Sequence, residues 1–209
     1  MTPDSKLNPQ KSLPWNKGLL LGQKPPFKLK EVWAIRYHLE QRRKYKQLAL
    51  FNLAIDSKLR GCDLVRLQVR DVMHGSEMRH RGHVMQRKTG NPVQFEITEQ
   101  TRESLKAMII RDELSYGDYL FRSRIHDSQH LSTRQYGRTV HEWAEMIGLD
   151  GSTYGTHSLR RTKATLIYRR TKNLRAVQLL LGHTSLDSTV RYLGVELDDA
   201  LEISEQTEI

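Results

Sequence analysis

The stretch from Thr156 to Tyr192, THSLRRTKATLIYRRTKNLRAVQLLLGHTSLDSTVRY, constrains the fold more than any other part of this chain. His157 and Arg160 stand three apart, so on a helix they share a face and can reach a single anionic group. Leu174, Val177, Leu180 and Leu181 give the next helix an apolar stripe, and Asn173 is placed to cap its N-terminus. Gly182 falls where that helix needs a left-handed residue to stop, which puts His183 just beyond the end. Leu186, Val190 and Leu193 predict a further short helix carrying Tyr192 on its flank. The spacing therefore gathers two imidazoles, a guanidinium and a phenol onto one packed helical scaffold.

Charge says what such a cluster faces. The 209 residues include 34 Lys and Arg against 24 Asp and Glu, a net charge of +10. Six of the acidic residues lie in 195–209, which has no basic residue, so residues 1–194 carry 34 − 18 = +16. An excess of that size points to a polyanion or an anionic membrane surface. No apolar run approaches the roughly 20 residues of a membrane span. Gly18-Leu19-Leu20-Leu21-Gly22 is too short even for the core of a signal peptide. The single cysteine, Cys62, allows no internal disulfide, which fits a reducing, cytoplasmic setting.

Residues 1–26 hold five of the six prolines and little periodicity, and read as a tail or extended arm in which Trp15 is positioned to dock. Val32, Ile35 and Leu39 mark one face of a helix from Lys28 to Lys44. Arg42, Arg43, Lys44 and Lys46 close it with a positive end, suited either to solvent and the helix dipole or to a DNA backbone. Leu48, Phe51, Ile55 and Leu59 predict a buried helix that delivers Arg60 at its C-terminal end. Residues from Val69 to Arg81 lead into a small sheet. His74, His80 and His83 invite a metal site, but no cysteine and few carboxylates accompany them, so we assign no metal there.

Two strands, His83 to Lys88 and Val93 to Ile97, flank the turn Thr89-Gly90-Asn91-Pro92, with Lys88 at the rim. Thr98 can cap a helix carrying Leu105, Met108 and Ile109, and Tyr119 to Phe121 reads as a strand or buried connection. Ser132 and Gln135 have the spacing of a capping box and open a helix with Tyr136, Val140, Trp143, Ala144 and Ile147 inside, stopped by Gly148. These elements predict a mixed α+β, mainly helical fold with a small antiparallel hairpin at one edge.

His-x-x-Arg, then Leu-Gly-His, then a tyrosine nine residues on, resembles the catalytic end of the tyrosine recombinases, the phage-integrase family. Leu59-Arg60-Gly61-Cys62-Asp63-Leu64 resembles that family's first arginine box, with Asp63 in the supporting acidic place that buttresses the helix turn. Lys58 stands where the family more often has glycine, and Gly61 falls after the arginine instead. The Lys-Thr-Gly context of Lys88 resembles the family's hairpin lysine. The resemblance implies an integrase-like catalytic domain over residues 27–194, a preceding arm of residues 1–26 and an acidic tail or helix over 195–209. Only 59 residues precede Arg60, where the family has a core-binding domain of about a hundred residues. The layout is therefore similar to the short fimbrial-switch invertases, as a stand-alone catalytic domain.

The chemistry implied by the resemblance is a transfer of phosphodiester bonds. Tyr192 would be the nucleophile, although a free phenol has a pKa of about 10. Arg60 and Arg160 would hold the non-bridging oxygens and stabilise the charge that grows in the transition state. His157 and His183 would donate to phosphate or handle the tyrosine proton. Lys88, at a dry interface, would protonate the departing 5′-oxygen. Arg161 and Lys163, with the Arg42, Arg43, Lys44 and Lys46 cluster, would contact the DNA backbone. The implied product is a 3′-phosphotyrosyl bond, formed with no cofactor. The implied partners are double-stranded DNA, further copies of the chain in a tetrameric synapse, and accessory DNA-bending proteins, with no membrane. Two other readings stay open on these residues: a type IB topoisomerase-like activity, and a DNA-binding regulator using the helix pair between Asn173 and Leu193.

Overall fold

The computed structural model describes residues 23–123, 128–194 and 204–205. The chain enters as an extended arm and turns into helix α1, Leu29–Gln41, whose Val32, Ile35 and Leu39 face inward. Helix α2, Tyr45–Ser57, is the axis of the fold. From Ala49 to Ser57 every residue is buried, because apolar side chains occur on all sides and neighbours pack around it. It stops two residues earlier than the apolar spacing predicts: Lys58 adopts a left-handed conformation (φ 54°), so Leu59 lies beyond the helix.

Two short helices follow, α3, Gly61–Leu64, and α4, Val69–Val72. Strands β1, Met73–His74, and β2, Glu77–Met78, form a two-residue ladder. Strands β3, Arg81–Met85, and β4, Pro92–Glu96, form the main antiparallel hairpin, with Val84 opposite Val93 and Met85 opposite Pro92. Each strand ends sooner than predicted, which leaves Lys88 in the turn itself.

Helix α5, Glu99–Arg111, buries Leu105, Met108 and Ile109 against α2. Thr98 precedes it but makes no side-chain cap; its hydroxyl donates to Asp56 Oδ2 at 2.6 Å. Residues Tyr119 to Phe121 form a buried connection touching Gln68 through an isolated bridge. Helix α6, Thr133–Met146, is capped as expected: Gln135 N–H donates to the Ser132 hydroxyl at 3.1 Å. Trp143 packs edge-on against Phe51 at 5.2 Å, in the main core.

Helices α7, Thr156–Thr171, α8, Leu174–Leu181, and α9, Leu186–Leu193, build a second, smaller cluster from Ala164, Tyr168, Val177, Leu181 and Leu193. Asn173 accepts from Ala176 N–H at 2.9 Å, and Gly182 takes the left-handed cap at φ 64°. Leu186, expected in the α9 stripe, is exposed instead, because the helix begins at the surface. Of the predicted arm, residues 23–26 lie on the body: Gln23 donates to the Arg191 carbonyl at 2.6 Å, and Lys24 to the Ser152 carbonyl at 2.5 Å. Phe27 stacks on Tyr154 at 4.4 Å just after them. Trp15 lies outside the described residues, as does the predicted acidic tail apart from Ser204 and Glu205. Among the described residues no helix is long and apolar enough to cross a membrane.

Candidate active site

Arg160 lies one turn into α7 and is 2% exposed. Its two terminal nitrogens donate to backbone carbonyls, Nη1 to Lys58 and Nη2 to Leu181, each at 2.7 Å. Those contacts fix the plane of the guanidinium without cancelling its charge. Arg60, the N-cap of α3, donates from Nη1 to Gln86 Oε1 on the hairpin. Among the described residues neither arginine forms a salt bridge. Arg60 thus lines the cleft and Arg160 lies buried behind it beside Tyr192, with the Asp63 carboxylate near Arg160 but ion-paired to neither, an arrangement that favours an anionic ligand.

Tyr192 enters the same cleft from α9. His183 meets its ring edge to face at 5.2 Å, and the guanidinium carbons of Arg160 and Arg161 stand 5.9 and 5.4 Å from it. The phenol oxygen is buried and makes no hydrogen bond of good geometry among the described residues, while the Arg160 guanidinium is close enough to act on it. Burial pushes this phenol up to about 12, against the opposing pull of Arg160 and Arg161. The Tyr192 phenol of the free protein is thus a neutral hydroxyl, not ionised at physiological pH.

His183 follows the Gly182 cap, and its Nδ1 lies 3.1 Å from the buried Thr189 hydroxyl on α9. Burial, then the charges of Arg160 and Arg60, hold its pKa down to about 4, so the ring is neutral at physiological pH. His157 occupies the exposed first turn of α7. Desolvation of its inner side and the charges of Arg160, Arg60 and Lys88 move it below the ordinary imidazole value as well. The cleft, about 230 Å³, is lined by Arg60, Thr89, Gly182, His183, Thr184, Ser188 and Tyr192.

The structure thus brings together Arg60, Arg160, His183 and Tyr192, with His157 at the rim. Lys88 is exposed on the hairpin turn, so the dry interface expected around it is absent from the free protein. Asp63 is buried, but its role differs from the expected one. Oδ1 accepts from the Arg87 amide at 3.1 Å, fastening the hairpin rather than a helix turn.

Two of the expected backbone contacts turn inward. Lys163 pairs with Asp56 at 2.6 Å and Glu96 at 2.7 Å, and so directs its ammonium into the protein. Arg161, 7% exposed, donates to the Lys24 carbonyl at 3.0 Å and flanks the tyrosine. Arg42, Arg43 and Lys44 are exposed between α1 and α2, while Lys46 donates to the Arg122 carbonyl. Among the described residues no three His, Cys, Asp or Glu side chains could hold a metal, and His74, His80 and His83 form no such group.

Sequence reasoning passes over Gln86 and Thr189, which hold Arg60 and His183. Both carry a signal in retrospect. Gln86 continues the inward alternation of Gly82 and Val84 along the hairpin, and a polar residue on an inward phase needs a partner. Thr189 sits on the buried side of α9, three residues before the tyrosine.

A sequence model of the phage integrase family matches residues 27–197. The chain is 29% identical over 170 residues to the probable integrase/recombinase YoeC of Bacillus subtilis (strain 168), spanning 81% of this chain and 88% of that protein. It is 32% identical over 151 residues to tyrosine recombinase XerC of Neisseria gonorrhoeae, spanning 72% of this chain but 47% of the relative, about half its length. The fold matches the crystal structure of XerA recombinase with a TM-score of 0.71 at 19% identity, covering 89% of this chain and 66% of that one. It also matches XerH recombinase in its pre-cleavage complex with difH, with a TM-score of 0.69 at 19% identity, covering 90% and 55%. Matching residues, helical order and hairpin together place this chain in the phage integrase family of tyrosine recombinases.

Proposed function

We propose that this protein is a site-specific recombinase that breaks and rejoins double-stranded DNA through Tyr192. The observation that carries the reading is the buried Tyr192 hydroxyl, without a hydrogen bond of good geometry, close to Arg160 and Arg60, neither of which forms a salt bridge among the described residues. A phosphodiester is itself anionic and repels a nucleophile. Arg60 and Arg160 would neutralise its non-bridging oxygens and bind more tightly as charge builds in the transition state. Tyr192 oxygen would form a bond to phosphorus while the bond to the 5′-oxygen breaks. The tyrosine proton would pass to His183 or to water, since a neutral imidazole can accept it. A second proton, from Lys88 on the hairpin turn, would go to the departing 5′-oxygen. One phosphodiester replaces another, so the reaction needs no external energy source. Attack by a 5′-hydroxyl of another strand would reverse the step and join new ends.

Family membership supports further expectations: four copies of the chain on two duplexes, accessory proteins that bend the DNA, and a cytoplasmic location with the DNA. The test is covalent capture. The protein is incubated with fragmented genomic DNA from its source organism and denatured in detergent, and DNA attached to protein is sequenced. The unsubstituted protein should leave DNA on Tyr192 at a defined sequence, and Tyr192→Phe none. Cleavage that survives Tyr192→Phe would overturn the mechanism, and binding with no covalent product would favour a regulator.

A further inference from the structure

The Gln86 side chain hydrogen-bonds both Arg60 and the backbone carbonyl on which Arg160 rests. It is 1% exposed, at the end of β3, two residues before Lys88. Its carbonyl oxygen accepts from Arg60 Nη1 and from the Thr89 hydroxyl, the latter at 2.9 Å. Its amide nitrogen donates at 3.1 Å to the Leu181 carbonyl, which also accepts from Arg160 Nη2 at 2.7 Å. The main chain of the same residue closes the turn. Gln86 N–H donates to Asn91 carbonyl at 2.9 Å, and Gly90 N–H donates to Gln86 carbonyl at 2.8 Å.

We propose that Gln86 is a positioning residue that registers Arg60, the Leu181 carbonyl under Arg160, and the turn bearing Lys88 to one another. The inference rests on the strand-cleavage reading above. The chemistry explains why an amide fits there. Arg60 and Thr89 need an acceptor, and the Leu181 carbonyl, with one lone pair taken by Arg160, has a second to fill, so a neutral group that accepts and donates suits the position. A carboxylate would keep the acceptor, lose the donor and cancel the charge of Arg60. An apolar side chain would lose both, leaving the Leu181 carbonyl with Arg160 alone and the Arg60 guanidinium without its anchor on the hairpin. The tight fit holds the amide in place: a Cβ on Gly182 would lie 3.0 Å from Gln86 Nε2.

Gln86→Met keeps the length and removes both polar atoms. On a DNA site recovered by covalent capture, the variant should bind within about twofold of the parent. Its rate of adduct formation should fall about 100-fold, the scale of misplacing a reacting group by an ångström. A second substrate separates positioning from general loosening. A methylphosphonate at the scissile position carries no negative charge, so its transition state asks less of the arginines. The loss on that substrate should shrink to about tenfold or less, since about one order of magnitude remains for the displaced turn.

An equal loss on both substrates, or an adduct formed at the parental rate, overturns the inference alone. Failure of the unsubstituted protein to form any adduct overturns the cleavage reading and this inference with it. If Gln86→Met melts far below the parent, Gln86→Glu carries the test. The ion pair it offers Arg60 should keep the fold while lowering the charge, so the same contrast between substrates is expected.

Discussion

The carbonyl of Lys58 accepts a 2.7 Å hydrogen bond from Arg160 Nη1 across 102 residues of sequence. Lys58 is itself held by charge. Its ammonium, fully buried, reaches both Glu96 oxygens at 2.8 and 2.9 Å, and Lys163 ties Glu96 to Asp56. Burial moves Lys58 below the ordinary lysine value, with Glu96 pulling the other way. Two lysines and two carboxylates thus form a closed set beneath the arginine, anchored to the left-handed residue that ends α2. Removing one member leaves one charge of the set unbalanced.

Lys58→Met should therefore destabilise the fold by about 3 kcal/mol, the scale of breaking a buried ion pair from one side. Lys58→Gly loses the same ion pair but relieves a left-handed conformation costing roughly 1 kcal/mol, so it should lose less. Adding Glu96→Gln to Lys58→Met should recover part of the loss. Urea unfolding of the four proteins checks the order. A Lys58→Met protein as stable as the parent would show that the set contributes nothing.

This set also marks the limit of what the sequence discloses. Asn173, Ser132 and Gly182 are readable as caps because one side chain or one backbone angle decides each of them. Val32, Ile35 and Leu39 are readable as core from spacing alone. The spacing from His157 to Tyr192 that resembles the family's is legible because it lies within one run of helices. Lys163 is not, since its partner Asp56 is 107 residues away and a basic helix face looks solvated until that carboxylate arrives. The early end of α2 is equally hidden, because the half-buried Glu96 that receives Lys58, left-handed at φ 54°, lies 38 residues further on.

The tyrosine should resist ionisation. Burial raises Tyr192 to about 12, so below roughly pH 11 it should add nothing to the ultraviolet tyrosinate signal. The difference between the parent and Tyr192→Phe in a spectrophotometric titration isolates this one phenol. A step near pH 10 in that difference, where a free phenol titrates, would show that the ring is not buried as described.

Acid should weaken the fold in two stages. His183 has a folded value of about 4 against the ordinary 6.5, and His157 is shifted the same way. The unfolded chain therefore binds protons first as the pH falls below 6.5. Stability that is complete above 6.5 is lost between 6.5 and about 4. Asp56 is also held low, by Lys163, Thr101 and Thr98 acting against the upward effect of burial. As a depressed carboxylate it adds its loss only below its ordinary 3.8. His183→Asn removes one titrating ring, so its unfolding free energy should fall less steeply across the first window. Parallel curves for the two proteins would mean that His183 is not held neutral by the fold.

Gly182 joins the helical half of the site to the hairpin, and its substitution should uncouple them. Its φ of 64° is a left-handed cap, and an added Cβ would lie 2.4 Å from Val93 Cγ2, inside any real contact distance. Gly182→Ala carries both penalties. The backbone conformation costs roughly 1 kcal/mol, and the overlap costs roughly 1–3 kcal/mol more as side chains shift. The next amide, His183 N–H, donates to the Gln178 carbonyl at 3.1 Å, so relief by moving the cap would drag His183 away from Thr189. Val93 is buried on β4, and truncating it to alanine opens a gap where the new methyl would sit. Each change alone should therefore destabilise, while Gly182→Ala with Val93→Ala should be more stable than the sum predicts by about 1 kcal/mol. Strictly additive losses in that cycle would show that the cap and the hairpin do not press on each other. In that case the placement of His183 would depend on α8 and α9 alone.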